Sequence, residues 1–162
     1  MSQAAVLDPC SGSRMMWFDK DDQRSIFGDI RDEEHLLCDG RVLRVEPDVL
    51  MDFRELPFCS STFKLVVFDP PHLKHAGIDS WLRAKYGILT DDWKDDMLRG
   101  FAECFRVLED EGILIFKWNE TQIKVSELLA LTDQKPLFGH KSGKRGNTHW
   151  ITFMKHKSTI NQ

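Results

Sequence analysis

No apolar run in this chain approaches the roughly 20 residues a membrane helix needs. The opening stretch MSQAAVLDPC has neither a basic region nor a long apolar segment, so no export signal is expected. The four cysteines, at positions 10, 38, 59 and 104, lack the close paired spacing of a zinc site and make no disulfide framework in 162 residues. They read as reduced thiols of a cytoplasmic protein, and no metal centre is expected. Acidic residues are missing from Lys135 to Gln162, where Lys135, Lys141, Lys144, Arg145, Lys155 and Lys157 are all basic. Against an overall net charge of −4, that asymmetry suggests a cationic patch at one edge of the fold or a solvated basic tail.

What is present suits a globular protein: 41% of residues are hydrophobic and 30% charged. The length is that of one domain with a single core, here residues 1–162.

Short β-like runs alternate with helical ones, the pattern of an α/β fold with a mostly parallel sheet. Ala4 to Leu7 reads as a first strand closed by Asp8, Arg14 to Lys20 as the start of a helix, and Ser25 to Asp29 as a second strand. Between His35 and Asp52 the Asp39-Gly40 turn signal predicts a hairpin-like excursion before a strand ending near Asp52. Phe63 to Phe68 (FKLVVF) is β-branched and aromatic and is stopped by two prolines, which predicts a central buried strand. Thr90-Asp91-Asp92 offers a helix cap, and Trp93, Met97, Phe101, Phe105 and Leu108 then form one apolar stripe that Gly112 ends. Gly112 to Trp118 predicts a buried strand, Val125 to Leu131 a short helix, and Pro136 to His140 with Thr148 to Met154 an antiparallel hairpin.

In open parallel sheets, ligands bind beyond the carboxyl ends of the strands. Four carboxylates, Asp8, Asp29, Asp52 and Asp69, fall at four successive predicted strand ends. After Asp8 comes Pro9-Cys10-Ser11-Gly12-Ser13, a tight small-residue turn that lets a ligand approach the backbone. Each signal has a structural alternative: the turn is no GxGxxG fingerprint, Asp29 and Asp52 could be loop caps, and Asp69-Pro70-Pro71-His72 could be a rigid turn. Their order along the chain carries the argument.

In that order the sequence resembles the Rossmann-like (class I) methyltransferases, and among them the amino methyltransferases with an Asp/Asn-Pro-Pro-aromatic motif after the fourth strand. The resemblance covers roughly Ala4 to Lys155. It implies a three-layer αβα sandwich around a mostly parallel seven-stranded sheet that ends in an antiparallel β-hairpin. LDPCSGS looks like the first motif: Asp8, Pro9, Cys10, Ser11 and Gly12 would meet the cofactor S-adenosylmethionine, with Cys10 and Ser13 standing where other members have glycine. Asp29, with Ile30, matches the acid that bonds the cofactor ribose, and Asp52, with Phe53, the acid near its adenine. Asp69, Pro70, Pro71 and His72 match the catalytic motif, and Asp69 would also meet the cofactor. His72 departs from the usual Tyr, Phe or Trp but can still stack on a flipped-out base.

The implied chemistry is methyl transfer to an amino nitrogen, with N6 of adenine in DNA or RNA favoured. Protein amide (glutamine) N-methylation and a non-catalytic binding protein of the same fold are the alternatives. About 60 residues separate the cofactor loop from Asp69 and about 90 follow it, all needed for the core, which leaves no room for a target-recognition region, as in compact methyltransferases of phage or prophage type. A partner protein or a homodimer would then supply recognition. Candidate substrate contacts are Lys74, Trp81 and Tyr86 beside the motif, Lys117 and Asn119 closing the fifth strand, and Lys141, Lys144 and Arg145 in a glycine-rich basic loop. Trp81 and Tyr86 fit helix packing equally well, and Lys117 and Asn119 a strand-to-helix turn.

Overall fold

The computed structural model describes residues 4–157. Its sheet has the strand order β5-β2-β1-β6-β7-β9-β8, built from β1 (Val6–Asp8), β2 (Ser25–Asp29), β5 (Val49–Leu50), β6 (Phe63–Phe68), β7 (Leu108–Asn119), β8 (Phe138–Ser142) and β9 (Thr148–Met154). β5, β2, β1, β6 and β7 run parallel, while β9 is antiparallel to both β7 and β8. From β1 the chain moves outward to β2 and β5, then returns to the other side of β1 for β6 and β7. The crevice that such a reversal opens at the carboxyl ends lies between Asp8 and Asp69.

A separate two-stranded sheet, β3 (Glu33–Leu36) and β4 (Val42–Val45), is the expected hairpin, turning at Gly40 with a φ of +84°. The helices are α1 (Trp81–Tyr86), α2 (Trp93–Val107) and α3 (Val125–Leu129).

The core forms where α2 lies on β6 and β7. Its stripe of Trp93, Met97, Phe101, Cys104 and Phe105 is buried, and the Phe68 ring meets those of Phe53 and Phe101 edge-on. Gly100 makes this possible: a Cβ there would stand 2.7 Å from the Phe53 ring and 2.9 Å from that of Phe68.

Three local expectations are corrected. Arg14 to Lys20 is a series of turns, not a helix. Arg14 has a φ of +55°, its guanidinium lies 4.1 Å from the Phe27 ring centre, and it bonds Asp48 and the carbonyls of Lys20 and Glu46. Trp17 turns inward to donate to Asp8. The long helix ends at Val107, not at Gly112, because Glu109, Asp110 and Glu111 would set three carboxylates against a negative helix terminus. Fully buried Leu108 is drawn into the sheet opposite Phe63 instead. The Asp92 side chain makes no capping bond; Thr90 donates to Asp96 inside the first turn.

Candidate active site

A cavity of about 370 Å³ opens at the carboxyl ends of β1, β2 and β6, within the size range of small-molecule sites. It is lined by Pro9 to Ser13, Asp29 to Arg31, Met51 to Arg54, Asp69 to Pro71, Lys85 to Thr90, Asp96 and Lys117. Segments far apart in sequence thus share one wall, among them the loop after β1 and the double-proline turn.

Each aspartate in the wall is met by a cation of the chain. Asp29 and Asp52 are followed two residues later by Arg31 and Arg54, and each carboxylate accepts both the backbone N–H and the guanidinium Nε of its arginine. The same Asp-x-Arg turn recurs on the surface at Asp22–Arg24 and Asp39–Arg41. It is an Asx-turn closed a second time by a salt bridge. Arg54 also donates to Asp96 at 3.0 Å. Asp69 Oδ2 accepts from Lys117 Nζ at 2.9 Å. Burial pushes the Asp69 carboxyl up from the usual carboxylate range, and Lys117, then Lys85, oppose that rise.

Asp8 stands behind the wall. It is fully buried, and its carboxylate is engaged by Trp17 Nε1 at 2.8 Å and the Cys10 N–H at 3.2 Å. Burial, with Asp69 and Asp29 nearby, pushes it up to about 7. It shapes the loop from beneath and does not line the cavity. Gly12, with a φ of +51°, donates its N–H to Asp29 Oδ2 at 3.0 Å. Ser11 lines the cavity and is 8% exposed, and its hydroxyl oxygen is buried with no hydrogen-bond partner. A buried hydroxyl left unpaired costs about 1–3 kcal/mol, which points to a ligand that would pair with it.

His72 is half-buried. Its ring lies 5.0 Å from that of Tyr86 and 6.2 Å from that of Trp118, and burial, aided by Lys117 and Lys85, pushes it down to about 4. The imidazole is therefore neutral and packed. Trp81 is 52% exposed, with the Lys85 ammonium 5.0 Å from its ring centre and 4.6 Å from that of Tyr86.

Asn119 does not line the cavity. Its amide oxygen accepts from Thr121, and its amide nitrogen donates to Thr148. Lys74 is exposed, and its backbone N–H is tied to Gln122.

The basic C-terminal stretch is divided. β9 begins at Thr148, opposite Asn119, so the β8–β9 loop with Lys144 and Arg145 lies at the carboxyl end of β7, on the cavity's edge of the sheet. Lys141 is beside it, 3.8 Å from Glu120. Lys155 and Lys157 lie at the other end of β7, bonded to the Leu108 carbonyl and paired with Glu111.

Sequence reasoning missed Arg31, Arg54 and Asp96. The first two had a signal, the repeated Asp-x-Arg spacing. Among the described residues no three His, Cys, Asp or Glu side chains are grouped to hold a metal ion, and no helix is long and apolar enough to cross a membrane.

No family model and no curated protein matches the chain. Solved structures do. A protein from Pyrococcus horikoshii superposes with a TM-score of 0.62 at 14% identity, covering 93% of this chain and 81% of that one. An S-adenosylmethionine-dependent methyltransferase from Methanosarcina mazei gives 0.59 at 11%, covering 98% and 95%. A TehB-like S-adenosylmethionine-dependent methyltransferase from Corynebacterium glutamicum gives 0.57 at 15%, covering 96% and 82%. The chain has the Rossmann-like methyltransferase fold.

Proposed function

We propose that this chain transfers a methyl group from S-adenosylmethionine to an amino nitrogen, with N6 of adenine in DNA or RNA as the acceptor. The observation that carries this reading is the convergence of the Pro9–Ser13 loop, Asp29, Asp52 and the Asp69-Pro70-Pro71 turn on one cavity, one of whose lining residues, Ser11, has a buried hydroxyl without a partner. These residues fit the cofactor. Ser11 and Gly12 would hold it from the loop, Asp29 with Ile30 on its ribose side, and Asp52 with Phe53 on its adenine side. When bound, S-adenosylmethionine supplies an electrophilic methyl group on a sulfonium sulfur.

The residues of the chain prepare the acceptor. An amine conjugated to a base is a poor nucleophile because its lone pair is delocalised. Lys117 bonds Asp69 Oδ2, so Oδ1 and the Pro70 carbonyl are the acceptors offered to the two amine hydrogens. Together they keep electron density on nitrogen and aim its lone pair. Proline at 70 and 71 provides no N–H that would tie this turn to a neighbouring strand. Trp81 and Tyr86 supply aromatic faces for a base, and Lys74, Lys141, Lys144 and Arg145 supply cations for the phosphates. A partner protein or a second copy would add sequence selectivity.

A second reading, a binding protein of this fold without catalysis, is favoured by the pairing of all three of these acids with internal cations. Calorimetric titration with S-adenosylhomocysteine, followed by tritiated methyl transfer to DNA, RNA and protein, separates the two. Binding with transfer to adenine supports the first reading, binding without transfer to any acceptor supports the second, and no binding overturns the cofactor assignment.

A further inference from the structure

Arg31 differs from the surface members of its own Asp-x-Arg pattern. The Arg24 and Arg41 side chains are 82% and 78% exposed and close on their own aspartates. That of Arg31 is 17% exposed, and its Nη1 donates to the carbonyl of Ala84, 53 residues away, at 2.8 Å. Its Nε and backbone N–H hold Asp29 Oδ1 at 3.1 and 3.0 Å, while Oδ2 of the same carboxylate accepts from Gly12. One buried carboxylate therefore ties the loop after β1 to the end of β2 and, through the guanidinium fork, to the last turn of α1.

α1 depends on such a tie. Six residues are too few for a helix to sustain itself in water, and none of its residues is buried. Ala84 lies where helix carbonyls have no partner within the helix. Two glycines stand at this junction because their φ is positive, +51° at Gly12 and +73° at Gly87, and a side chain on either would be in ordinary contact with the opposite segment. A Cβ on Gly12 would stand 3.6 Å from the Lys85 carbonyl, and one on Gly87 3.9 Å from the Arg31 guanidinium carbon.

We propose that Arg31 is a positioning residue that locks α1 to the cofactor side of the cavity, so that filling the cavity and docking Trp81 and Tyr86 beside it reinforce each other. This inference rests on reading the cavity as an S-adenosylmethionine site. A carboxylate has about four lone-pair positions; Gly12 and Arg31 use three at Asp29, which leaves one for a ribose hydroxyl. A ligand bonded there fixes Asp29, Asp29 fixes the guanidinium, and the guanidinium fixes Ala84. The coupling is reciprocal, so an acceptor that orders α1 tightens cofactor binding by the same factor.

The test is amide hydrogen exchange of residues 81–87 with and without S-adenosylhomocysteine, in the unaltered protein, Arg31→Ala and Arg31→Lys. The ligand is expected to slow exchange there about tenfold in the unaltered protein, a factor within the usual range of site–site coupling. That ligand-dependent difference should vanish in Arg31→Ala. It should be largely lost in Arg31→Lys, which keeps a charge for Asp29 but has no planar fork to hold two acceptors. If Arg31→Ala unfolds because Asp29 is left buried and unpaired, Arg31→Lys carries the comparison. Ligand binding without slowed exchange in the unaltered protein, or equal slowing in the folded variants, overturns the coupling alone. Absence of binding to the unaltered protein overturns the reading of the cavity and the coupling with it.

Discussion

Lys117 and Asp69 form a 2.9 Å ion pair between neighbouring parallel strands. The register that sets Phe68 opposite Phe116 sets the next residue on each strand side by side. The pair opposes the desolvation that raises the pKa of this mostly buried carboxyl. The more ionised the carboxyl, the more strongly it accepts from an amine.

Asp69→Ala is expected to leave S-adenosylhomocysteine affinity nearly unchanged and to lower methyl transfer by at least about 100-fold. Full activity would remove Asp69 from the mechanism. Lys117→Met takes away the main opposition to the raised Asp69 pKa, so the acid limb of the pH–rate profile should move to higher pH, and Lys117→Arg should restore it. An unmoved limb would show that Lys117 does not act through Asp69.

Ser11→Ala should separate stability from affinity. Removing an unpaired buried hydroxyl is expected to leave the unfolding free energy unchanged or higher by about 1 kcal/mol, while S-adenosylhomocysteine binding weakens about five- to tenfold through loss of one hydrogen bond. Equal affinity in the two proteins would show that the hydroxyl does not meet the ligand.

Asp8 and His72 give stability opposite pH dependences. Asp8 is raised from 3.8 to about 7, so its contribution is complete below about pH 4 and is lost as pH rises to about 7. His72 is lowered from 6.5 to about 4, so its contribution is complete above about pH 6.5 and is lost as pH falls to about 4. Each slope is at most about 1.4 kcal/mol per pH unit, and the two oppose each other across this window. Relative to the unaltered protein, His72→Phe should lose stability as pH rises and Asp8→Asn should gain it, the latter from a lower level because its amide has one acceptor oxygen where the Trp17 Nε1–H and the Cys10 N–H need two. Urea unfolding of the three proteins between about pH 4 and about pH 7 measures the slopes. Parallel lines would overturn the assignment.

Replacing Lys141, Lys144 and Arg145 with alanine should weaken nucleic-acid binding and reduce the slope of log affinity against log salt by about 2 to 3. Lys155→Ala with Lys157→Ala, at the other end of β7, should leave that slope unchanged. An unaltered slope in the first variant would place any nucleic acid on another surface.

Much of the fold was legible because strands and helices write their periods directly into a sequence. GILIFKW and the stripe from Trp93 to Phe105 each bury one predictable face, and FKLVVF, with Val66, Val67 and Phe68 all buried, is the central strand its composition predicts. Distant partners act in the failures at Arg14–Lys20 and at Gly112, and at the second the local carboxylates Glu109, Asp110 and Glu111 act with them. Arg14 and Trp17 are drawn toward Asp48, Phe27 and Asp8, and Leu108 toward Phe63.

The sequence by itself determined that acids and a small-residue turn fall at the ends of successive strands, because both are local features read along one chain. Only the tertiary structure decided what those acids do. It withdrew Asp8 behind the wall, gave Asp29, Asp52 and Asp69 internal cations, and left the Ser11 hydroxyl without a partner. It also brought Ala84 to Arg31. Hydrogen bonds and ion pairs form at separations of about 3 Å, and contacts between residues 50 positions apart are fixed by strand order and packing, which no local pattern encodes.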